Sequence, residues 1–470
     1  MKALLPLLCF AVALTVQVPG IAQESGPATP AAADASVTAA FKDEAPPPGP
    51  SESALPAAAL DAEEDLELDL GPVSAVARRM LDRVRDSVVQ IRGFYGTNRS
   101  EAFHGSAFAV APGGTLLTNY HVVSRAALFP RDYRLEYYTD DGRVGTVRIL
   151  AIDVAHDLAL IRADTLNPRP LQLRTVIPAK GDRAYAVGYP LNLGLVITEG
   201  IGNGRIDNEF SPKLHYAGPM NPGMSGGPAL DSSGRVFGIN VSISTRGQLV
   251  SFLIPAEFVA PLLEKARTPL APGNTRIEVA RQLWSHQSAV LAALPGTFPT
   301  QTSAGYALPA ELAPFVDCTA TLGVPPSRSV RLQSVTCRAN VALSVEAGLL
   351  TGDFQFSHKV VVASGLDPLR FAEQLHRVAE LAKPTAGSAQ HVNPYACKSG
   401  AVNLNRFKSA VTLCARSYRM YEGLYDVTMV VVSLNQPQQG FVSTVTLRGV
   451  DYGAALDFSG RFLRAMRWTR

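Results

Sequence analysis

Between residues 87 and 254 the apolar positions fall in short runs, several alternating with polar residues, and Gly, Pro and Asn separate one run from the next. Residues 87–93, 105–110, 146–150, 158–161 and 235–241 have this form. They predict strands, because successive side chains of a strand point to opposite faces. Helical spacing is weak until residues 255–264. Short strands punctuated by turns in this way predict an all-β pair of barrels. A Pro- and Gly-containing link at 268–273 then marks a boundary, and the spacing of Ile277, Ala280, Leu283, Trp284, Ala289 and Leu291 predicts a helix over 275–294.

The last third holds a weak internal repeat. Cys318 and Cys337 are followed by an apolar run ending in Gly365-Leu366-Asp367, and Cys397 and Cys414 by a run ending in Gly449-Val450-Asp451. A helix is predicted after each, over 368–382 and 454–468, which gives two α+β units of about 70 residues side by side. Four cysteines in an exported chain are expected to pair. Of the three connectivities, the repeat selects Cys318 with Cys337 and Cys397 with Cys414. The spacings lack the close pairs of a zinc site, and His391 is the only imidazole nearby, so no metal is expected.

The ends change the picture. Residues 1–22 combine Lys2, an apolar run over 3–16 and the small-residue finish Gly20-Ile21-Ala22, the pattern of a secretory leader. The run is too short to favour a membrane span, and no small residue precedes Cys9 as a lipoprotein site would need. Residues 23–73 carry 11 Asp and Glu against one Lys, with Phe41 as the only aromatic. Such a stretch cannot bury enough apolar surface to fold, and residues 23–74 are expected to be a disordered acidic linker or propeptide. The whole chain is +3; the acidic stretch holds −10 and Lys2 +1, which leaves about +12 elsewhere. Those Lys and Arg are scattered, with no dense run and no nucleic-acid motif, so no nucleic-acid partner is expected. At 470 residues the chain exceeds one core. The expected units are the barrel domain over 75–268 and C-terminal repeats over 274–384 and 385–470.

Candidate chemistry lies in three segments. They are Thr118-Asn119-Tyr120-His121, then His156-Asp157-Leu158, then Gly223-Met224-Ser225-Gly226-Gly227-Pro228. A serine hydroxyl attacks an amide at neutral pH only if an imidazole takes its proton, and the imidazole needs a carboxylate to fix its tautomer. His121, Asp157 and Ser225 supply these groups, and the N–H groups of Gly223 and Ser225 would hold the oxyanion. The order His, Asp, Ser is not that of an α/β-hydrolase elbow, and Gly-Gly-Pro after Ser225 excludes the helix that an elbow requires. Asp153 is the rival acid, but Asp157 directly precedes an apolar strand. His104, His156 and His215 lack a comparable setting.

These segments carry a resemblance. Gly105-Ser106-Ala107-Phe108 leading to His121, Asp157-Leu158-Ala159-Leu160-Ile161, Val187-Gly188-Tyr189-Pro190, Gly223-Met224-Ser225-Gly226-Gly227-Pro228-Ala229-Leu230 and Phe252-Leu253-Ile254-Pro255 stand in the order found in trypsin-like serine peptidases. Residues 84–267 resemble the HtrA/Deg type of that family. The resemblance implies a mainly β fold with a double β-barrel and a periplasmic or secreted location. It also implies a Ser-His-Asp endopeptidase that works through an acyl-enzyme on protein or peptide substrates, without metal or organic cofactor. Met224 departs from the Asn or Asp usual before the serine and is expected to alter the loop surface, and Tyr120 is bulky beside the base. The PDZ modules typical of the HtrA type are not recognisable, for want of a Gly-Leu-Gly-Phe-like loop. The absence of Asp from 216–222 and the apolar lining there suggest an aliphatic residue at the cleaved position. A second reading is a binding or scaffold protein with a silent peptidase domain.

Overall fold

The computed structural model describes residues 75–243, 249–271, 273–322, 329–346, 348–384, 387–404 and 407–469. The leader and acidic segment expected at 1–74 lie outside the described residues. Helix α1 (Ala75–Val84) buries Ala77, Met80 and Val84, one face of its helical period. It leads into seven antiparallel strands: β1 (Val88–Tyr95), β2 (Glu101–Ala111), β3 (Thr115–Thr118), β4 (Tyr133–Tyr138), β5 (Val144–Thr146), β6 (Arg148–Asp153) and β7 (Leu158–Arg162). Their order is β5-β4-β1-β2-β3-β7-β6. β5 and β6 stand at opposite ends of that order, yet only Val147 separates them along the chain, so the sheet rolls until its ends meet. The hydrogen-bonded ladder itself stays open there. The second unit is a closed barrel of β8 (Arg183–Gly188), β9 (Val196–Arg205), β10 (Leu214–Ala217), β11 (Pro228–Asp231), β12 (Val236–Ile243) and β13 (Ser251–Pro255).

One element escapes the periodicity reading. Between β3 and β4 lies helix α2 (Tyr120–Leu128), which starts one residue before His121. Seven of its nine residues are buried, and a helix buried nearly all round shows no amphipathic stripe. Helix α3 (Val259–Lys265) begins inside the helical stretch expected at 255–264 and ends one residue beyond it.

After the link, α4 (Thr275–Ala292) precedes β14 (Thr300–Ser303) and β15 (Tyr306–Pro309). Then follow β16 (Val316–Leu322), β17 (Val330–Ala339), the hairpin β18 (Leu343–Glu346) and β19 (Leu349–Thr351), β20 (Phe354–Ala363) and α5 (Pro368–Glu380). The second repeat supplies β21 (Ala396–Leu404), β22 (Phe407–Ser417), β23 (Leu424–Ser433), β24 (Gln439–Asp451) and α6 (Tyr452–Ala465), and β25 (Arg467–Trp468) returns to β15. The two repeats merge through β20 and β24 into one antiparallel sheet, ordered β16-β17-β20-β24-β23-β22-β21. Each edge strand is joined to its neighbour by a disulfide, Cys318–Cys337 at one end and Cys397–Cys414 at the other. The repeated Gly-x-Asp has a physical reason: Asp367 and Asp451 cap their helices, accepting N–H bonds from Leu369 and Arg370 and from Ala454.

The link at 268–273 does not interrupt the core. One apolar cluster takes Ile91, Leu116, Tyr120 and Val123 from the first barrel together with Leu283, Val345, Leu349 and Tyr421 from the C-terminal region.

Candidate active site

Asp157 has φ 53°, a left-handed conformation that Asp tolerates better than most residues. It turns both the carbonyl and the carboxylate of Asp157 toward the start of α2. The carbonyl accepts the Tyr120 N–H at 3.0 Å and the Asn119 amide at 2.9 Å. The carboxylate accepts the His121 N–H at 2.8 Å and holds His121 Nδ1 at 2.6 Å. The acid thus caps the helix that carries the imidazole, where a negative charge also suits the helix dipole. Burial presses the His121 pKa down, but the Asp157 charge and hydrogen bond raise it, and the sum lies above the ordinary value of 6.5. Asp153 is not in this arrangement: its carboxylate holds His156 Nδ1 at 2.8 Å, and His156 stacks on Phe258 at 3.8 Å.

Ser225 sits in the tight turn before β11. Gly223 has φ 99° and Gly226 φ 86°, and a Cβ at Gly223 would lie 2.4 Å from the Tyr189 carbonyl oxygen. Glycine is therefore required there on two counts. The turn is closed by Met224 N–H to Asn221 O at 3.0 Å and Gly227 N–H to Met224 O at 3.0 Å. The N–H groups of Gly223 and Ser225 have no acceptor among the described residues. The Ser225 hydroxyl donates to Val241 O at 3.1 Å and makes no bond to His121 among the described residues. The structure thus brings His121 to Asp157 and leaves the Ser225 hydroxyl on its own barrel. Val241 is the extra residue where the β12–β13 register slips between Asn240 and Ser242.

Residues 105–239 match the family model described as the trypsin-like peptidase domain. The centre of this chain thus resembles a trypsin-like peptidase domain. Among curated relatives the chain is similar to a "Probable periplasmic serine endoprotease DegP-like" of Chlamydia pneumoniae, 30% identical over 165 residues, 33% of each chain. It is also similar to the serine protease HTRA1 of Xenopus tropicalis, 28% identical over 209 residues, 42% of this chain and 44% of that protein. The chain therefore spans a third to under half the length of these relatives. Two solved structures are similar: the HtrA-type protease AlgW with a decapeptide, at 24% identity, 41% of this chain and 67% of that one, TM-score 0.36; and the Rv3671c protease of M. tuberculosis in its active form, at 21% identity, 43% and 91%, TM-score 0.39.

Within the peptidase domain, several residues escape a reading by motif. Ser106 is fully buried, donates its hydroxyl to Gly223 O at 2.7 Å and accepts the Tyr189 N–H at 2.9 Å, while its own N–H bonds Ser225 O at 2.8 Å. It anchors the Ser225 turn to β2, and the one sequence signal was a small polar residue inside the otherwise apolar run 105–110. Met224 does not alter the loop surface as expected: it is fully buried with Tyr216, Met220 and Phe237 inside the second barrel. Tyr216 and Met220 are core residues of that barrel, so they do not supply the apolar pocket lining read at 216–222. His104 lies beside Gly223 and holds Glu101 at 3.1 Å, and His215 is on β10.

Proposed function

We propose that this protein is an exported serine endopeptidase, periplasmic or secreted, that hydrolyses peptide bonds of protein substrates through an acyl-enzyme. Ser225 is the nucleophile, His121 the general base and then acid, and Asp157 the group that fixes the imidazole tautomer. The observation that carries the reading is the pair of bonds from the Asp157 carboxylate to His121, one to the ring and one to the backbone. With Nδ1 held by Asp157, the basic lone pair of neutral His121 is on Nε2. For attack, the Ser225 hydroxyl turns from Val241 O to that nitrogen and gives up its proton as oxygen adds to the carbonyl carbon. The N–H groups of Gly223 and Ser225, which have no acceptor among the described residues, receive the oxyanion; His121 then protonates the leaving amine, and water repeats the sequence on the ester. The residues require no metal or organic cofactor for these steps.

The second reading, a scaffold with a silent peptidase domain, is favoured by one observation: the Ser225 hydroxyl bonds Val241 O rather than His121. Incubation of the full secreted chain with reduced β-casein separates the two. The enzyme reading expects cleavage that Ser225→Ala abolishes, a loss of about a millionfold in turnover. Casein left intact by the wild type, with the protein shown folded, favours the scaffold.

A further inference from the structure

The two candidate groups that already face each other are both held from outside the peptidase domain. Tyr120, next to His121, is fully buried, and its hydroxyl donates to Val345 O of β18 at 2.9 Å. Its backbone N–H meanwhile bonds Asp157 O. One residue is thus tied to the acid by its main chain and to the C-terminal hairpin by its side chain. Burial holds that hydroxyl protonated, with its pKa well above the ordinary phenol value, so it remains a donor.

The acid has a second support. β6 is an edge of the first sheet, and the chain leaves it toward Asp157 through Val154. Gln282 of α4 covers that edge. Its Oε1 accepts the Val154 N–H at 2.6 Å and its Nε2 donates to Ile152 O at 2.9 Å, the pattern one residue of a parallel strand would make. Gln282 is itself fixed by Glu278 Oε1 at 2.6 Å. The loop before β18 and the start of that strand also reach the site: Val341 and Leu343 line a cavity of about 240 Å³ together with Asp157, Val241 and Ile254.

We propose that the region after residue 274 is a working part of the site, and that Tyr120 and Gln282 are the positioning residues through which it sets His121 and Asp157. This rests on the reading of those two residues as base and acid. The bulk of Tyr120 follows from it, since a small residue would not reach Val345.

The test uses the full chain, a fluorophosphonate probe and the pH dependence of its reaction with Ser225, together with NMR titration of ring-labelled His121 assigned with His121→Gln. Tyr120→Phe keeps the ring in the core and removes only the donor; Gln282→Leu removes the edge contact independently. Each is expected to slow labelling about tenfold and to move the His121 pKa down toward the ordinary value. The Cys318→Ala/Cys337→Ala variant, altered at the far sheet edge, is expected to lower stability and leave rate and pKa unchanged. Rates and His121 titration in Tyr120→Phe and Gln282→Leu equal to wild type would overturn the inference. A wild type that is never labelled would overturn the role of Ser225 instead, and the His121 titration would still decide the positioning role.

Discussion

The two barrels hold their halves of the site in different states. On the first-barrel side, His121 and Asp157 are joined by two short hydrogen bonds, and α2 and the acid loop are clamped by Val345 and Gln282 from the C-terminal region. On the second-barrel side, the turn is equally fixed, through Ser106 and Gly226, but the Ser225 hydroxyl is bonded to Val241 O of the same barrel. The costly ordering of helix, acid and oxyanion turn is thus contained in the packing. In the proposed mechanism the Ser225 hydroxyl must leave Val241 O before it can reach His121.

If that comparison holds, damage to the clamped first-barrel pair carries a larger penalty than damage to the turn that flanks Ser225. Asp157→Asn keeps a residue that tolerates φ 53° but is expected to leave His121 in the wrong tautomer, lowering casein turnover by about ten-thousandfold. On the other side, Gly223→Ala places a Cβ 2.4 Å from Tyr189 O at φ 99°. It is expected to displace an oxyanion donor, with turnover down by at least about a hundredfold and a lower melting temperature.

Smaller effects sharpen the contrast. Loss of the Cys318–Cys337 bridge, which closes a loop with a sequence separation of 19, is expected to cost roughly 3 kcal/mol in denaturant unfolding with turnover held within twofold. Loss of turnover in proportion would show that the far sheet edge also bears on the site. Finally, the raised pKa of His121 sets opposite trends with pH. Turnover is expected to rise through a pKa above 6.5 as the base is freed. The stability gained from pairing protonated His121 with Asp157 is complete below the unfolded value and fades as pH climbs through the folded one. Parallel pH–rate and pH–stability curves would contradict this assignment.

Much of the fold was legible because local rules acted alone. Alternation marked β1, β2 and β12, the Gly-x-Asp pair marked the starts of α5 and α6, and the internal repeat marked the two cysteine pairs. Helix α2 was not legible because its burial on nearly every side erases the 3.6-residue period. The same cause hid the role of Tyr120: in sequence it is only a bulky residue beside His121, and its partner is the carbonyl of Val345, 225 residues on, which no side-chain type reports. Met224 misled in the opposite sense, since a departure inside a loop motif suggests surface, whereas the turn points it into the second barrel. The bond from Ser225 goes to Val241 O at a register slip in β12, invisible in the residue types.

The most direct test of the central claim is labelling of the purified protein with a fluorophosphonate, beside Ser225→Ala, with mass spectrometry of the modified peptide. The account predicts one modification, on Ser225, absent from the variant and fading as pH falls through the raised pKa of His121. A folded wild-type protein left unmodified at Ser225 at any pH would contradict it.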